Sequence, residues 1–290
     1  MDSLKCPICE IDNCRFLYDK ERDNNPVRFV ICKECGLVYQ NPMQGIDDLE
    51  KYYSESFRKT FDNEDDLSKY IESRIEHGNS IFQIITKSFF NKKFNSLKRK
   101  IQGNKCFSVL DIGCGIGGIL VPFIREGFVC KGIDTPSMYT QLGKDKLNID
   151  ISEVFLSKFE TDIKYDIVIL NHTLEHFSDP VIDLKKISRL LKRNGLLYVE
   201  VPNIEKPYNW TTLQFFFLLG HLFYYSPKTL EIICNKAGFE NIYIDDITTP
   251  FIRAIFKKKF NNLYSVDSEH YANVYSELAS KIKYENDNIG

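Results

Sequence analysis

The stretch CFSVLDIGCGIGGILVPFIREG constrains the fold more than any other in the chain. An apolar run, Phe107 to Leu110, leads into Asp111-Ile112-Gly113-Cys114-Gly115-Ile116-Gly117 and then into a helical pattern that closes at Gly127. That order reads as strand, glycine turn, helix. Glycines let the chain reverse tightly and let its backbone approach a ligand at the carboxyl end of a strand. Phosphate-binding loops share the pattern, so the neighbours decide what it holds. Asp111 stands just before the turn, where a carboxylate repels a pyrophosphate but receives a ligand's ammonium. The next strand, FVCKGID, ends in Asp134, from which an acidic side chain accepts hydrogen bonds from ribose hydroxyls. A third apolar strand, Asp166 to Leu170, carries polar residues at its carboxyl end. An amino-acid-bearing nucleoside meets all three requirements.

Asp111 to Gly117, with Asp134 after the second strand, resembles the first two motifs of class I S-adenosylmethionine-dependent methyltransferases. YDIVILNHTLEHFSDP, LLKRNGLLYVEVPN and TLEIICNKAGFENI resemble that family's later strands and helices, so the likeness runs from about residue 105 to 256. It implies an α/β fold with a Rossmann-like, doubly wound sheet and S-adenosylmethionine as cofactor. Asp111, Gly113, Cys114, Gly115, Gly117, Asp134 and Asn171 are then the expected cofactor neighbours. The adenine contact after the third strand has no clear match, leaving Glu153, Val154 and Phe155 as candidates. A dehydrogenase is the main competitor for the glycine turn.

Two hooks, Cys6-Pro7-Ile8-Cys9 and Cys32-Lys33-Glu34-Cys35-Gly36, are spaced as in a ribbon or double-knuckle zinc site. Four thiolates close a tetrahedral shell, so this zinc is structural and holds a module too small to fold around its own core. A redox pair would need a following helix in a thioredoxin-like unit. Cys14 falls out of pattern, and Cys106, Cys114, Cys130 and Cys234 read as small core residues. The N-terminus lacks the basic-then-apolar order of a signal peptide, which favours a cytoplasmic, reducing setting for the nine cysteines. The hooks, with GLVYQNP, resemble a zinc-bearing subgroup that includes methyltransferases of sugar and surface-glycan pathways.

His172-x-x-Glu175-His176 spells a zinc-peptidase motif, but that chemistry needs a helix to bring both histidines to one face. Here a strand runs through Leu170, while Asp179 and Pro180 are a helix cap and first helical residue. The motif therefore lies in a strand-to-helix connection at the mouth of the sheet. A neutral imidazole there accepts a hydroxyl proton, which makes His176, His172 and His221 the catalytic candidates. The bland alternative is a loop brace. Some methyltransferases acting on vicinal hydroxyls carry E-x-x-E-H in this loop as metal ligands. His172, Glu175, His176 and His221 thus leave a second divalent metal open, with a His-rich set suiting a transition metal better than Mg²⁺.

The expected organisation is a four-cysteine zinc module over 1–45, a helical linker over 46–103, a methyltransferase domain over 104–260 and a helical tail over 261–290. Within the linker a helical period runs from Asp65 to about Ile101, with a break expected near Gly78. Residues 203–226 form a substrate lid, with Tyr208, Trp210, Tyr224 and Tyr225 at the mouth to stack on a sugar or ring; an aromatic unit packed on the zinc module is the equal alternative. The tail docks, dimerises into a homodimer or frays. Net charge −2 argues against nucleic acid as partner. The longest apolar run, Leu213 to Tyr225, is too short to span a membrane. The expected activity is methyl transfer to a hydroxyl of a small polar acceptor, a sugar or saccharide intermediate first. C-methylation of a nucleotide-linked keto-sugar and RNA methylation are the alternatives within the class. A silent cofactor-binding scaffold is the alternative outside it.

Overall fold

The computed structural model of the protein describes residues 5–45, 63–90, 106–207, 212–259 and 268–288. The glycine-turn strand, β4 (Ser108–Ile112), lies inside a seven-stranded sheet, because its SVLDI side chains are buried on both faces. β5 (Val129–Asp134) and β6 (Ile151–Glu153) add in parallel on one side. The chain then crosses over, and β7 (Tyr165–Asn171) and β8 (Leu191–Pro202) add in parallel on the other. β10 (Phe239–Asp245) and β11 (Phe251–Lys258) finish that side as an antiparallel hairpin, giving the order β10-β11-β8-β7-β4-β5-β6. Strand order reverses between β4 and β7, and this switch point leaves a crevice at their carboxyl ends, where open α/β sheets bind ligands.

Local chemistry starts and stops the helices. α3 (Met138–Leu147) and α6 (Pro227–Lys236) open on reciprocal caps, Ser137 with Thr140 and Ser226 with Thr229. α4 (Pro180–Leu190) opens on Asp179, whose carboxylate accepts from Ile182 N, and stops one residue short of Leu191. Leu191 begins β8. α2 (Val121–Arg125) follows the glycine turn through a short 3-10 segment.

α1 (Glu64–Phe90) runs unbroken through Gly78, against the expected interruption. The glycine is needed for proximity: a Cβ there would lie 2.7 Å from Ile119 O. Likewise, a Cβ on Gly118 would meet Arg74 Cβ at 2.7 Å. Two glycines therefore let α1 lie directly on the turn that follows β4, and a methyl group at either position would push it off. The continuation expected to Ile101 lies outside the described residues.

The N-terminal hooks build a second sheet of β1 (Cys14–Tyr18), β2 (Phe29–Cys32), β3 (Val38–Gln40) and β9 (Phe223–Tyr224), in that order. β9 comes from the segment expected to be a lid. Tyr224 and Tyr225 are buried instead of lining the mouth, and Tyr208 and Trp210 lie outside the described residues. The aromatic run serves a core: Phe217 stacks on Phe29 at 4.4 Å, and α5 (Leu213–Phe216) packs beside it. α7 (Ser268–Asn288) docks on the same core through Val274 and Leu278, with the Arg15 guanidinium 4.1 Å from the Tyr275 ring centroid. Cys114 and Cys234 are buried as expected of core residues, whereas Cys106 is exposed at the edge of the described segment. No helix among the described residues is long and apolar enough to cross a membrane.

Candidate active site

Gly113, Gly115 and Gly117 all have positive φ, at 74°, 54° and 74°, so the turn is one that side-chain-bearing residues resist. Their surroundings differ. A Cβ on Gly113 would strike Thr173 Oγ1 at 2.4 Å, and one on Gly117 would press on Ile149, but one on Gly115 would meet nothing within 4 Å. Gly115 therefore faces open space at the crevice. Asp134 braces the turn from β5, its Oδ2 accepting from Gly115 N at 2.7 Å and its Oδ1 from Thr135 N at 2.6 Å. Thr135 Oγ1 adds a second bond to Oδ1 at 3.3 Å.

Asp111 is fully buried, and neither carboxylate oxygen has a hydrogen-bond partner among the described residues. Burial pushes its pKa up to about 8, with Arg74's charge opposing the rise and Asp134's adding to it. An orphaned buried carboxylate costs about 1–3 kcal/mol or more unless a donor arrives. A ligand ammonium is such a donor, so the turn fits S-adenosylmethionine at its amino-acid end. Cys114 faces inward, and a Cβ on Gly132 would lie 2.5 Å from its sulfur. Of the adenine candidates, Glu153 is engaged by Thr140 Oγ1 at 2.7 Å and Lys144 at 3.1 Å, and Val154 N bonds Asp134 O. Phe155 is 39% exposed.

The HTLEH connection begins in strain. His172 has φ 51°, unusual for a residue with a side chain, and conformations of this kind cost on the order of 1 kcal/mol. Its ring faces two buried carboxylates, with Nδ1 3.4 Å from Glu175 Oε1 and Nε2 3.8 Å from Glu200 Oε1. Thr173 Oγ1 donates to Ile112 O at 3.0 Å, tying the connection to the glycine turn. Leu174 to His176 form a single 3-10 turn. His176 Nδ1 lies 2.8 Å from Gly220 O; since a carbonyl only accepts, Nδ1 carries a hydrogen, and in the neutral ring the lone pair is then on Nε2.

Glu175, His176 and His221 converge, each offering a ligand atom within 4.8 Å of the others. Neither Glu175 oxygen has a hydrogen bond among the described residues, nor does His221 Nδ1. Burial is the leading cause that pulls His221 down to about 3, so it is neutral at physiological pH. Glu175 is held below the ordinary carboxylate value: burial acts to raise it, and the His172 contact leads the opposing effects.

A second polar cluster draws on residues outside the HTLEH and glycine-turn motifs. His77 of α1 places Nε2 2.9 Å from Asn171 Oδ1 and 3.3 Å from Glu200 Oε1. Glu200, fully buried in β8, also accepts from Tyr198 OH at 2.6 Å and pairs with Arg253 Nε at 3.3 Å. Burial would raise Glu200, but the His77 contact, then His172's charge and the Tyr198 hydroxyl, bring it below the ordinary value. One signal was available: an ionisable residue inside the apolar run LLYVEVP needs partners. Arg74 and His77 carried no comparable signal, because α1's periodicity concerns only its buried face.

At the N-terminus, Cys6, Cys9, Cys32 and Cys35 offer four sulfurs within 4.8 Å of one another. The Cys6–Cys35 and Cys9–Cys32 sulfur separations are 3.6 and 3.9 Å. Zinc–sulfur bonds of ~2.3 Å set tetrahedral ligands ~3.8 Å apart, so this donor set fits zinc.

Fold and crevice together define a class I S-adenosylmethionine-dependent methyltransferase. A family profile described as a methyltransferase domain matches residues 55–244, and the chain belongs to that family. It is 31% identical over 104 residues to a ubiquinone biosynthesis O-methyltransferase of Pelagibacter ubique, covering 34% of this chain and 43% of that one. It is also 30% identical over 101 residues to (S)-tetrahydroprotoberberine N-methyltransferase of Eschscholzia californica, covering 32% and 29%. The chain spans less than half the length of these curated relatives. The plantazolicin methyltransferase BpumL, in complex with a triazolic desmethylPZN analog and S-adenosylhomocysteine, shares the fold at TM-score 0.50 and 15% identity, over 73% of this chain and 94% of that one.

Proposed function

We propose that this enzyme methylates a hydroxyl of a small polar acceptor, with sugars and saccharide intermediates the first class to test. The observation that carries the reading is His176: its Nδ1–H is fixed on Gly220 O, which makes Nε2 the proton acceptor of the neutral ring. The loop bearing it is tied through Thr173 to the glycine turn. When bound, S-adenosylmethionine supplies an activated methyl group. The chain's own work is alignment and proton removal. Asp111 receives the cofactor's ammonium and Asp134 its ribose hydroxyls. Arg74, whose charge acts on Asp111, receives the carboxylate. Asn171 and His172 line the crevice beside the transferred group, His172 held between Glu175 and Glu200. Residues 212–226 wall the acceptor side, and the four-cysteine zinc site, at home in a reducing cytosol, supports that wall.

The test incubates the protein with methyl-labelled S-adenosylmethionine and nucleotide sugars, keto-sugars, 3,4-dihydroxybenzoate and RNA, and asks which atom takes the label. His176→Gln should lower transfer roughly 10²–10⁴-fold, the worth of a general base. S-adenosylhomocysteine affinity should stay near wild type. Label on carbon would replace O- by C-methylation. Tight cofactor binding without transfer to any acceptor would leave the silent scaffold.

A second reading rests on the convergence of Glu175, His176 and His221. If these hold a transition metal, His176 is a ligand and the ion activates the hydroxyl. Cobalt titration separates the two: a second equivalent beyond the four-cysteine site, abolished by His221→Ala, would establish the metal.

A further inference from the structure

The Cys32–Cys35 hook is the turn of the β2–β3 hairpin, and β3 ends at Gln40. Gln40 is 1% exposed and points out of the zinc module into the segment that precedes β9. Its backbone N donates to Leu222 O at 2.9 Å, while its side-chain Nε2 donates to Leu219 O at 2.7 Å and His221 O at 3.1 Å. Three bonds from one residue thus hold the 219–222 turn. On its far side the turn grips the HTLEH connection twice, through Leu222 N to Glu175 O at 2.8 Å and through Gly220 O to His176 Nδ1 at 2.8 Å. The His176 and His221 rings then sit 4.8 Å apart, edge to face.

Secondary structure alone does not require this arrangement. The β3–β9 ladder pairs Val38 with Tyr224 and Tyr39 with Phe223, which would hold β9 whatever stood at position 40. The Gln40 amide adds something separate, since both of its N–H groups are spent on carbonyls of a turn that carries no regular structure. Without it, Leu219 O and His221 O would lose buried donors, and Gly220 O, set between them, would lose its fixed direction.

We propose that Gln40 is a positioning residue for methyl transfer: it fixes the 219–222 turn so that Gly220 O selects the His176 tautomer, coupling the zinc module to the active-site loop. This rests on the reading of His176 given above. It also gives the zinc module a task beyond its own stability, because the hairpin that carries Gln40 is closed by two of the four cysteines.

The experiment uses full-length, zinc-loaded protein with S-adenosylhomocysteine and reads the histidine ring nitrogens by long-range ¹H–¹⁵N spectroscopy, so no acceptor is needed. Wild type should show His176 as the Nδ1–H tautomer. Gln40→Met, similar in size but without donors, should convert it to a tautomer mixture while zinc content is unchanged and S-adenosylhomocysteine affinity stays within about twofold. A folded Gln40→Met protein with an unchanged His176 signature overturns the proposal. Should Gln40→Met not fold, hydrogen exchange on the wild type decides. The Gln40 and Leu222 amides should exchange together as one protected unit, and exchange of the 219–222 turn more than about 100-fold faster than Gln40 overturns the coupling. The His176 reading fails separately, if His176→Gln leaves transfer intact.

Discussion

At the cofactor end of the crevice, one continuous stretch from Ser108 to Glu153 supplies the glycine turn, Asp111 and Asp134. At the proposed acceptor end, His77, His172, His176, Glu200, His221 and Arg253 arrive from α1, the loop after β7, β8, the segment before β9 and β11. The first end is built by local chain geometry and the second by docking of distant elements. The lesson is one of vulnerability: the cofactor end should fail through single backbone positions, the acceptor end through the elements that bring it together.

The sharpest break targets the acceptor end alone. Structural zinc sites of this kind bind with apparent energies on the order of 10 kcal/mol; if the four cysteines hold zinc as proposed, Cys35→Ser should lose both the metal and the fold of 5–45. Hydrogen exchange should rise in that segment and in 218–226, while S-adenosylhomocysteine still binds. Unchanged exchange in 218–226 would mean that the two sheets do not depend on each other.

Next come two glycines of the same turn, which separate stability from binding. Gly113→Ala forces a Cβ onto Thr173 Oγ1 and should cost about 2–4 kcal/mol in denaturant titration. Gly115→Ala meets no atom and should cost only about 1 kcal/mol for its backbone conformation. Calorimetry should nevertheless find its S-adenosylhomocysteine affinity lowered at least roughly tenfold, or about 1.4 kcal/mol, because the methyl group enters the ligand's space.

Asp111 gives the cofactor end a pH signature. With its folded pKa raised to about 8, the ligand-free protein holds an extra proton between about pH 4 and pH 8. Asp111 therefore costs stability progressively as pH rises through that window. A ligand ammonium offsets the cost only when the carboxylate is ionised. S-adenosylhomocysteine should thus raise Tm more at pH 8 than at pH 5, and its binding near pH 7 should release a proton, measurable by calorimetry in buffers of different ionisation enthalpy. Asp111→Asn should abolish the release and weaken binding roughly 10- to 100-fold, the range expected for a lost charged hydrogen bond.

The smallest expected effect belongs to Arg74, which is partly exposed. Arg74→Gln should weaken S-adenosylhomocysteine by about tenfold, the scale of one charge-assisted contact. Binding of 5′-methylthioadenosine, which lacks the carboxylate, should be untouched. Equal losses for both ligands would show that Arg74 supports the helix rather than the cofactor.

Much of the cofactor end was legible because its determinants are adjacent in the chain. An aspartate before a glycine turn and another at the next strand's end need only strand and turn geometry to face one ligand. The four cysteines were legible for a similar reason, since CxxC spacing alone brings two thiolates to one metal. The cap at Asp179 and Pro180 likewise set the address of HTLEH, excluding a helix there. The expected break at Gly78 failed because glycine's low helix propensity was outweighed by the need to lie against Ile119. The expected stacking role of Tyr224 and Tyr225 failed because large apolar side chains near a small module complete its core first.

By itself, then, the sequence determined the strand-turn-helix order, the parallel sheet it implies, the four-cysteine donor set and the position of the histidine loop. Tertiary structure alone decided that α1 brings Arg74 and His77 over the crevice, that Glu200 gathers His77, His172, Tyr198 and Arg253, and that the aromatic segment becomes the fourth strand of the four-cysteine module. The physical reason is range. Turns, caps and metal hooks are set by neighbours a few residues apart, whereas a buried carboxylate or an aromatic ring takes whatever partners packing brings within reach, and those partners can lie anywhere in the chain.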